Sequence, residues 1–178
     1  MSVKRLILDI DGTLAEWKPV NSLDELFIKG HYENLRPNIN VVKGIKLFMQ
    51  RNPEIPVFIC SAILQGAEFS IQEKNNWVDN HLPEISEDKR FFPYCGTDKS
   101  DSIPDGVGPE DYLMDDYTFN LDLWKGRGIK LLNGINHTKG TWKYDSVSMF
   151  NSPHDICFVI ETIMNGGKHK DPVIRPKV

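Results

Sequence analysis

Residues 5–11 read Arg-Leu-Ile-Leu-Asp-Ile-Asp, with Gly-Thr at 12–13. The apolar run Leu6–Leu8 suits a strand covered on both faces, as in a parallel sheet. Such a strand should not end in two uncompensated charges, because burying an unpaired carboxylate costs on the order of several kcal/mol. Asp9 and Asp11 therefore need cationic company from distant parts of the chain or from solution. An Asp-Gly turn is the simplest alternative. An EF-hand loop does not fit, since it follows a helix and needs Gly at its sixth position and Glu at its twelfth.

Strand-like and helix-like segments alternate along most of the chain. After the first strand, at 4–9, residues 55–62 (IPVFICSA), 90–94 (RFFPY) and 112–116 (YLMDD) read as strands, with 129–133 (IKLLN) as the last. Helical spacing of Val41, Val42, Ile45, Leu47 and Phe48 predicts a helix over 41–51, with Asn38 or Asn40 as its cap and Asn52-Pro53 as its stop. Residues 66–82 read as a second helix with Phe69, Trp77, Val78 and Leu82 in the core. A short helix is expected at 120–128. Another follows Ser152-Pro153, with Ser as N-cap and Pro at the first helical position. Residues 14–37 have room for one short helix, 96–111 read as loop, and 168–178 as a loosely held tail. The alternation predicts an α/β fold, a doubly wound parallel sheet with helices on both faces, within one domain over 1–178. Right-handed crossovers place the strands' carboxyl ends along one edge, where such sheets bind ligands.

Composition narrows the partners. The chain has 178 residues, 40% apolar, enough for a sizeable core. Its net charge of −4 argues against a nucleic-acid polymer as ligand. An acidic protein that binds a phosphate then needs a local cation. Cys60, Cys95 and Cys157 are widely spaced and form no CxxC, which suits reduced thiols in a cytoplasmic protein. The apolar run at the start breaks at Asp9, too early for a signal peptide, and no stretch reaches membrane-spanning length.

At the predicted edge, Asp9 and Asp11 meet Ser61 after the second strand, Lys99 in the loop after the third, and Asp115 and Asp116 after the fourth. Four carboxylates gathered there repel one another unless a cation sits among them. Oxygen-only ligands suit Mg²⁺. The chemistry that uses this set is phosphoryl transfer. A carboxylate attacks, a lysine and a metal neutralise the transferring group, and a second acid serves the leaving oxygen and then water. A hydroxyl such as Ser61 and backbone N–H groups can hold phosphate oxygens. Lys74 and Lys89 compete with Lys99 for the cationic role. The five histidines form no spacing pattern, and Cys60 reads as packing.

DIDGTLAEW resembles the first motif of the haloacid dehalogenase superfamily in its phosphatase form. VFICSA, GTDKSD and YLMDD resemble its second, third and fourth motifs, in order. HYENLRPNINVVKGIKLF, EKNNWVDNHLPEI and PYCGTDKSD are similar to segments of the C-type 5′-nucleotidases and deoxyribonucleotidases. The resemblance implies Asp9 as nucleophile and metal ligand. It implies Asp11 as general acid/base, offering its backbone carbonyl to Mg²⁺. Ser61 and Ala62 would bind phosphate, and Lys99 would pair with phosphate and nucleophile. Asp116 would be the acidic metal ligand with Asp115 beside it, and Trp17 would lie against the leaving group's base. The departure is the cap. That family inserts a substantial helical segment between the first two motifs, whereas only about residues 16–37 are free here. A cap this small leaves the site open, or covered by a second copy of the chain.

The expected activity is Mg²⁺-dependent hydrolysis of a small phosphate ester, nucleoside monophosphates leading, through an aspartyl-phosphate. A phosphotransferase on the same fold and a non-catalytic phosphate- or metal-binding protein are the alternatives. A signalling receiver domain would need its phosphorylated Asp on a central strand after the paired acids, and VFICSA has none.

Overall fold

The computed structural model describes residues 4–135 and 142–173. Six strands form one sheet: β1 (Arg5–Leu8), β2 (Val57–Cys60), β3 (Arg90–Phe91), β4 (Asp111–Asp115), β5 (Arg127–Leu132) and β6 (Ser146–Ser148). Their order is β3-β2-β1-β4-β5-β6, and every neighbouring pair is parallel. The chain builds outward from β1 to β3, then crosses to β4 and builds outward on the other side. The order therefore reverses between β1 and β4, and the crevice at their carboxyl ends is where a parallel sheet takes its ligand.

Side chains alternate between two apolar layers, as a pleated strand requires. Leu6, Leu8, Val57, Ile59, Tyr112, Met114, Ile129 and Leu131 face one layer. Three helices cover it: α1 (Ile39–Arg51), α2 (Phe69–His81) and α4 (Pro153–Met164). Ile45, Phe48, Trp77, Val78, Ile156 and Ile160 are the main buried side chains they contribute, each worth about 1.5–3 kcal/mol of burial for the aliphatic and phenyl groups. Gly44 lets α1 and α4 close up, since a Cβ there would lie 2.8 Å from Ile156 Cγ2. The opposite face carries Ile7, Cys60 and Leu113 against Ile103, Leu121 and Trp124. Among the described residues, only the six-residue α3 (Thr118–Leu123) and the 3₁₀ turn Lys99–Ser102 are helical there. The sheet is wound on both faces, with the heavier layer on one.

Three local expectations need correction. β5 is not the last strand; β6 follows it at the sheet edge. Ser146-Val147-Ser148 is too short and polar to show as a strand in sequence. The beginning of the tail is not loose. His169 accepts a backbone bond from Ser146, and the Asp171 carboxylate receives Ser148 N at 2.7 Å and Asn151 Nδ2 at 2.7 Å. Residues 174–178 lie outside the described residues. Asn38 stands at the N-cap of α1, but its side chain makes no capping bond. Its amide instead donates to Thr13 O at 2.7 Å, tying α1 to the loop after β1. Ser152 does cap α4 as expected, accepting from Asp155 N.

Residues 16–37 contain one 3₁₀ turn, Leu23–Phe27. The segment is strapped to α2. The Glu73 carboxylate receives Gly30 N at 2.6 Å and Tyr32 N at 3.1 Å, and Trp77 Nε1 donates to Leu35 O at 2.8 Å.

Candidate active site

β1 and β4 end side by side, so Asp9 and Asp115 emerge from adjacent strand ends. Asp9 N bonds Met114 O, extending the β1–β4 ladder by one residue. Lys99 reaches across from the turn after β3. Its ammonium, 1% exposed, lies 2.7 Å from Asp9 Oδ1 and 2.7 Å from Asp115 Oδ2. Asp115 also accepts from Tyr117 N at 2.8 Å and Asn120 Nδ2 at 2.9 Å, both at the start of α3.

Asp116 is held from two sides. Its backbone N–H donates to Thr13 Oγ1 at 3.0 Å, and its Oδ2 accepts from Asn133 Nδ2 at 2.8 Å. The same amide also reaches Gly12 O at 2.9 Å. Gly12 has φ +81°, and a Cβ there would fall 2.5 Å from Asp116 Oδ2. Glycine is thus needed both for the left-handed backbone and for the approach of the carboxylate. Asp9, Asp115 and Asp116 each offer an oxygen, all within 4.8 Å of one another.

Asp11 turns away from this trio. Its Oδ2 accepts from the ammonium of Lys74, a wholly buried side chain on α2. Lys74 also donates to Ser61 Oγ at 2.9 Å and to Ala62 O at 2.6 Å. Ser61 is buried at the end of β2 and Ala62 half-buried beside it. Lys99 therefore pairs with Asp9 and Asp115, and Lys74 with Asp11. Lys89 sits in the turn Glu87–Lys89 at the amino end of β3, on the opposite edge. Trp17 is half-buried in the loop that leaves the site for residues 16–37.

The electrostatics follow from burial. Loss of water pushes Asp9 up to about 7, with Asp115 and Asp11 pushing the same way and Lys99 and Lys74 opposing. Burial pulls Lys99 down, but Asp115 and Asp9 outweigh it and hold the ammonium above its ordinary value. Burial also pushes the Cys60 thiol up to about 12, consistent with packing rather than chemistry.

The residues fit a hard divalent cation. The donors are oxygens only, three carboxylates converge, and Asp11 Oδ1 is buried with no hydrogen-bond partner among the described residues. Asp9, Asp115 and Asp116 would hold such an ion, with Asp11 adjoining.

Four supporting residues, Asn133, Asn120, Thr13 and Gly12, carry no sequence signal of their role. Asn133 and Asn120 are single amides in loop and helix start, with no spacing signature. Thr13 and Gly12 belong to the DGT run, but their contact with Asp116 needs the sheet. Lys74, a sequence candidate for the cationic role, does bring an ammonium to the site, but to Asp11, Ser61 and Ala62. It lies three residues before Trp77, on the face of α2 that is buried.

Residues 14–151 match the family model described as 5′ nucleotidase, deoxy (pyrimidine), cytosolic type C protein. That span is 138 of 178 residues. The chain belongs to this family. Members of the type C nucleotidase family are 5′-nucleotidases, which are phosphoric monoester hydrolases. The matched span carries Ser61, Lys74, Lys99, Asp115 and Asp116, and begins after Asp9 and Asp11. A comparison with curated proteins finds no match. Among solved structures, the hypothetical protein XCC2798 from Xanthomonas campestris is similar at 14% identity and TM-score 0.48, over 92% of this chain and 84% of that one. No helix among the described residues is long and apolar enough to cross a membrane.

Proposed function

We propose that the chain is a Mg²⁺-dependent phosphomonoesterase acting through an aspartyl-phosphate on Asp9, with nucleoside monophosphates as its leading substrates. The observation that carries this reading is the placement of Asp9. It stands at the switch point, ion-paired with Lys99 and within an acidic trio, with a second acid two residues on. Nucleotide substrates are supported by membership of the type C family. A soluble setting in the reducing cytoplasm accords with the three free cysteines.

The Asp9 carboxylate attacks phosphorus, forming a P–O bond as the bond to the leaving oxygen breaks. Asp11 gives the leaving oxygen its proton and then takes one from the water that releases phosphate. Lys99 and the Ser61 hydroxyl face the phosphoryl oxygens, with backbone N–H at Ala62 beside them. Bound by Asp9, Asp115, Asp116 and the Asp11 carbonyl, Mg²⁺ would supply Lewis-acid neutralisation of charge on the phosphoryl group. Residues 16–37 serve as a small cap, and Trp17 within it stacks on the leaving group's base.

The test is a panel of nucleoside monophosphates and aryl phosphates assayed with and without Mg²⁺. The wild-type protein is expected to release phosphate only with the metal, and Asp9→Asn to release none. Turnover by Asp9→Asn would overturn the reading.

A further inference from the structure

Lys74 is a buried ammonium at the site whose hydrogen bonds go to Asp11 and the end of β2 rather than to the acidic trio. Its three protons meet three acceptors: Asp11 Oδ2, Ser61 Oγ and Ala62 O. An ammonium only donates. Ser61 Oγ must therefore accept from Lys74, which turns the hydroxyl's own hydrogen away from the lysine. Asp11 is anchored through Oδ2 alone, because Oδ1 has no hydrogen-bond partner among the described residues. One cation thus anchors one oxygen of Asp11 and keeps the Ser61 O–H bond from pointing back at the lysine.

The anchor is itself rigid. The ring of Tyr32, from the cap, lies 5.0 Å from Lys74 Nζ and screens it from water. Neighbouring Glu73 holds the backbone N–H of the same Tyr32, so consecutive residues of α2 grip the cap and the acid. Lys74 itself is fully buried. A charge this buried and this fully bonded has little freedom to do anything but orient its partners.

We propose that Lys74 is a positioning residue that aims Asp11 and Ser61 together, so that the acid for the leaving oxygen and a phosphate-holding hydroxyl act as one unit. The assignment rests on the role given to Asp11 above. It makes a specific kinetic demand. Loss of Lys74 harms Asp11's proton delivery, which matters for a poor leaving group and little for a good one.

The experiment is a double-mutant cycle on the Mg²⁺-loaded enzyme with Lys74→Met, Asp11→Asn and the pair, using phenyl phosphate and p-nitrophenyl phosphate. Lys74→Met is expected to slow kcat for phenyl phosphate on the order of 10-fold more than for p-nitrophenyl phosphate. In the Asp11→Asn background the same change should no longer discriminate between the two esters, because Lys74 reaches the leaving oxygen only through Asp11 and its remaining effect, through Ser61, falls on both alike. Lys74→Arg keeps the charge without the three-point fit, and should recover part of the phenyl phosphate rate. Equal losses on both esters, or a discrimination between them that persists in the Asp11→Asn background, would overturn the assignment. If Lys74→Met fails to fold, a uniform loss across the esters in Lys74→Arg overturns it equally. Wild-type rates in Asp11→Asn would instead overturn the role of Asp11 in the proposed function.

Discussion

The Lys99 ammonium lies 2.7 Å from the Asp9 carboxylate although 90 residues separate them in the chain. The contact exists because β1 is central in the sheet and the loop after β3 folds back over its end. It also answers the problem posed by a buried strand that ends in acid. Asp9 is paired from across the fold.

Removing that pairing should be costly in two ways. Lys99→Met leaves Asp9 and Asp115 facing each other in a buried site. A loss of about 3–5 kcal/mol is expected. Urea denaturation in EDTA measures it. Added Mg²⁺ should recover part of the loss, because a ligand that binds only the folded state stabilises it. A variant as stable as wild type in EDTA would contradict the account.

Gly12→Ala tests the cradle beneath Asp116. The new Cβ meets Asp116 Oδ2 at 2.5 Å, at a residue with φ +81°. The backbone term alone is about 1–2 kcal/mol, and the displaced carboxylate should weaken Mg²⁺ binding. Thermal unfolding of the metal-free protein and calorimetric titration with Mg²⁺ separate the two effects. Unchanged metal affinity would contradict the assignment of Asp116.

Glu73→Gln tests how the segment 16–37 is held on α2. The carboxylate receives the N–H groups of Gly30 and Tyr32, and charge-assisted bonds of this kind contribute about 1.5–3 kcal/mol each. Amide exchange at residues 30–32 should accelerate while that of β1 and β4 stays unchanged. Equal acceleration in both regions would indicate global loosening instead.

The Asp171 latch gives a pH dependence with a definite sign. Burial pushes this carboxyl up, but bonds from Ser148 N, His169 and Asn151 outweigh it and hold it below its ordinary value of 3.8. A depressed acid stabilises the fold above its unfolded value and loses that contribution as pH falls through the folded value. Asp171→Asn should therefore cost about 1–2 kcal/mol at pH 7. The gap to wild type should shrink below about pH 4. Denaturant midpoints at pH 7 and pH 3.5 show whether it does.

Much of this architecture is legible before any coordinates. Leu6–Leu8, Val57–Cys60 and Tyr112–Met114 are apolar runs that only a two-sided sheet buries, and each ends in a residue of the site. What could not be read was cross-chain. Asn133 looks like any loop amide until β5 brings it beside β1 and β4. The motif resemblance already pairs Lys99 with Asp9, whereas the contact of Lys74 with Asp11 is visible only once α2 is packed beside β1. β6 escaped notice because three residues flanked by turns carry too little pattern.

The central claim is that phosphate passes through Asp9, and covalent trapping tests it most directly. The enzyme is mixed with Mg²⁺ and substrate, quenched in acid and reduced with borohydride, which converts an acyl phosphate to an alcohol. Peptide mass spectrometry should find homoserine at Asp9, and only when substrate was present. Active enzyme that yields no homoserine at Asp9, or yields it at another aspartate, would contradict the account.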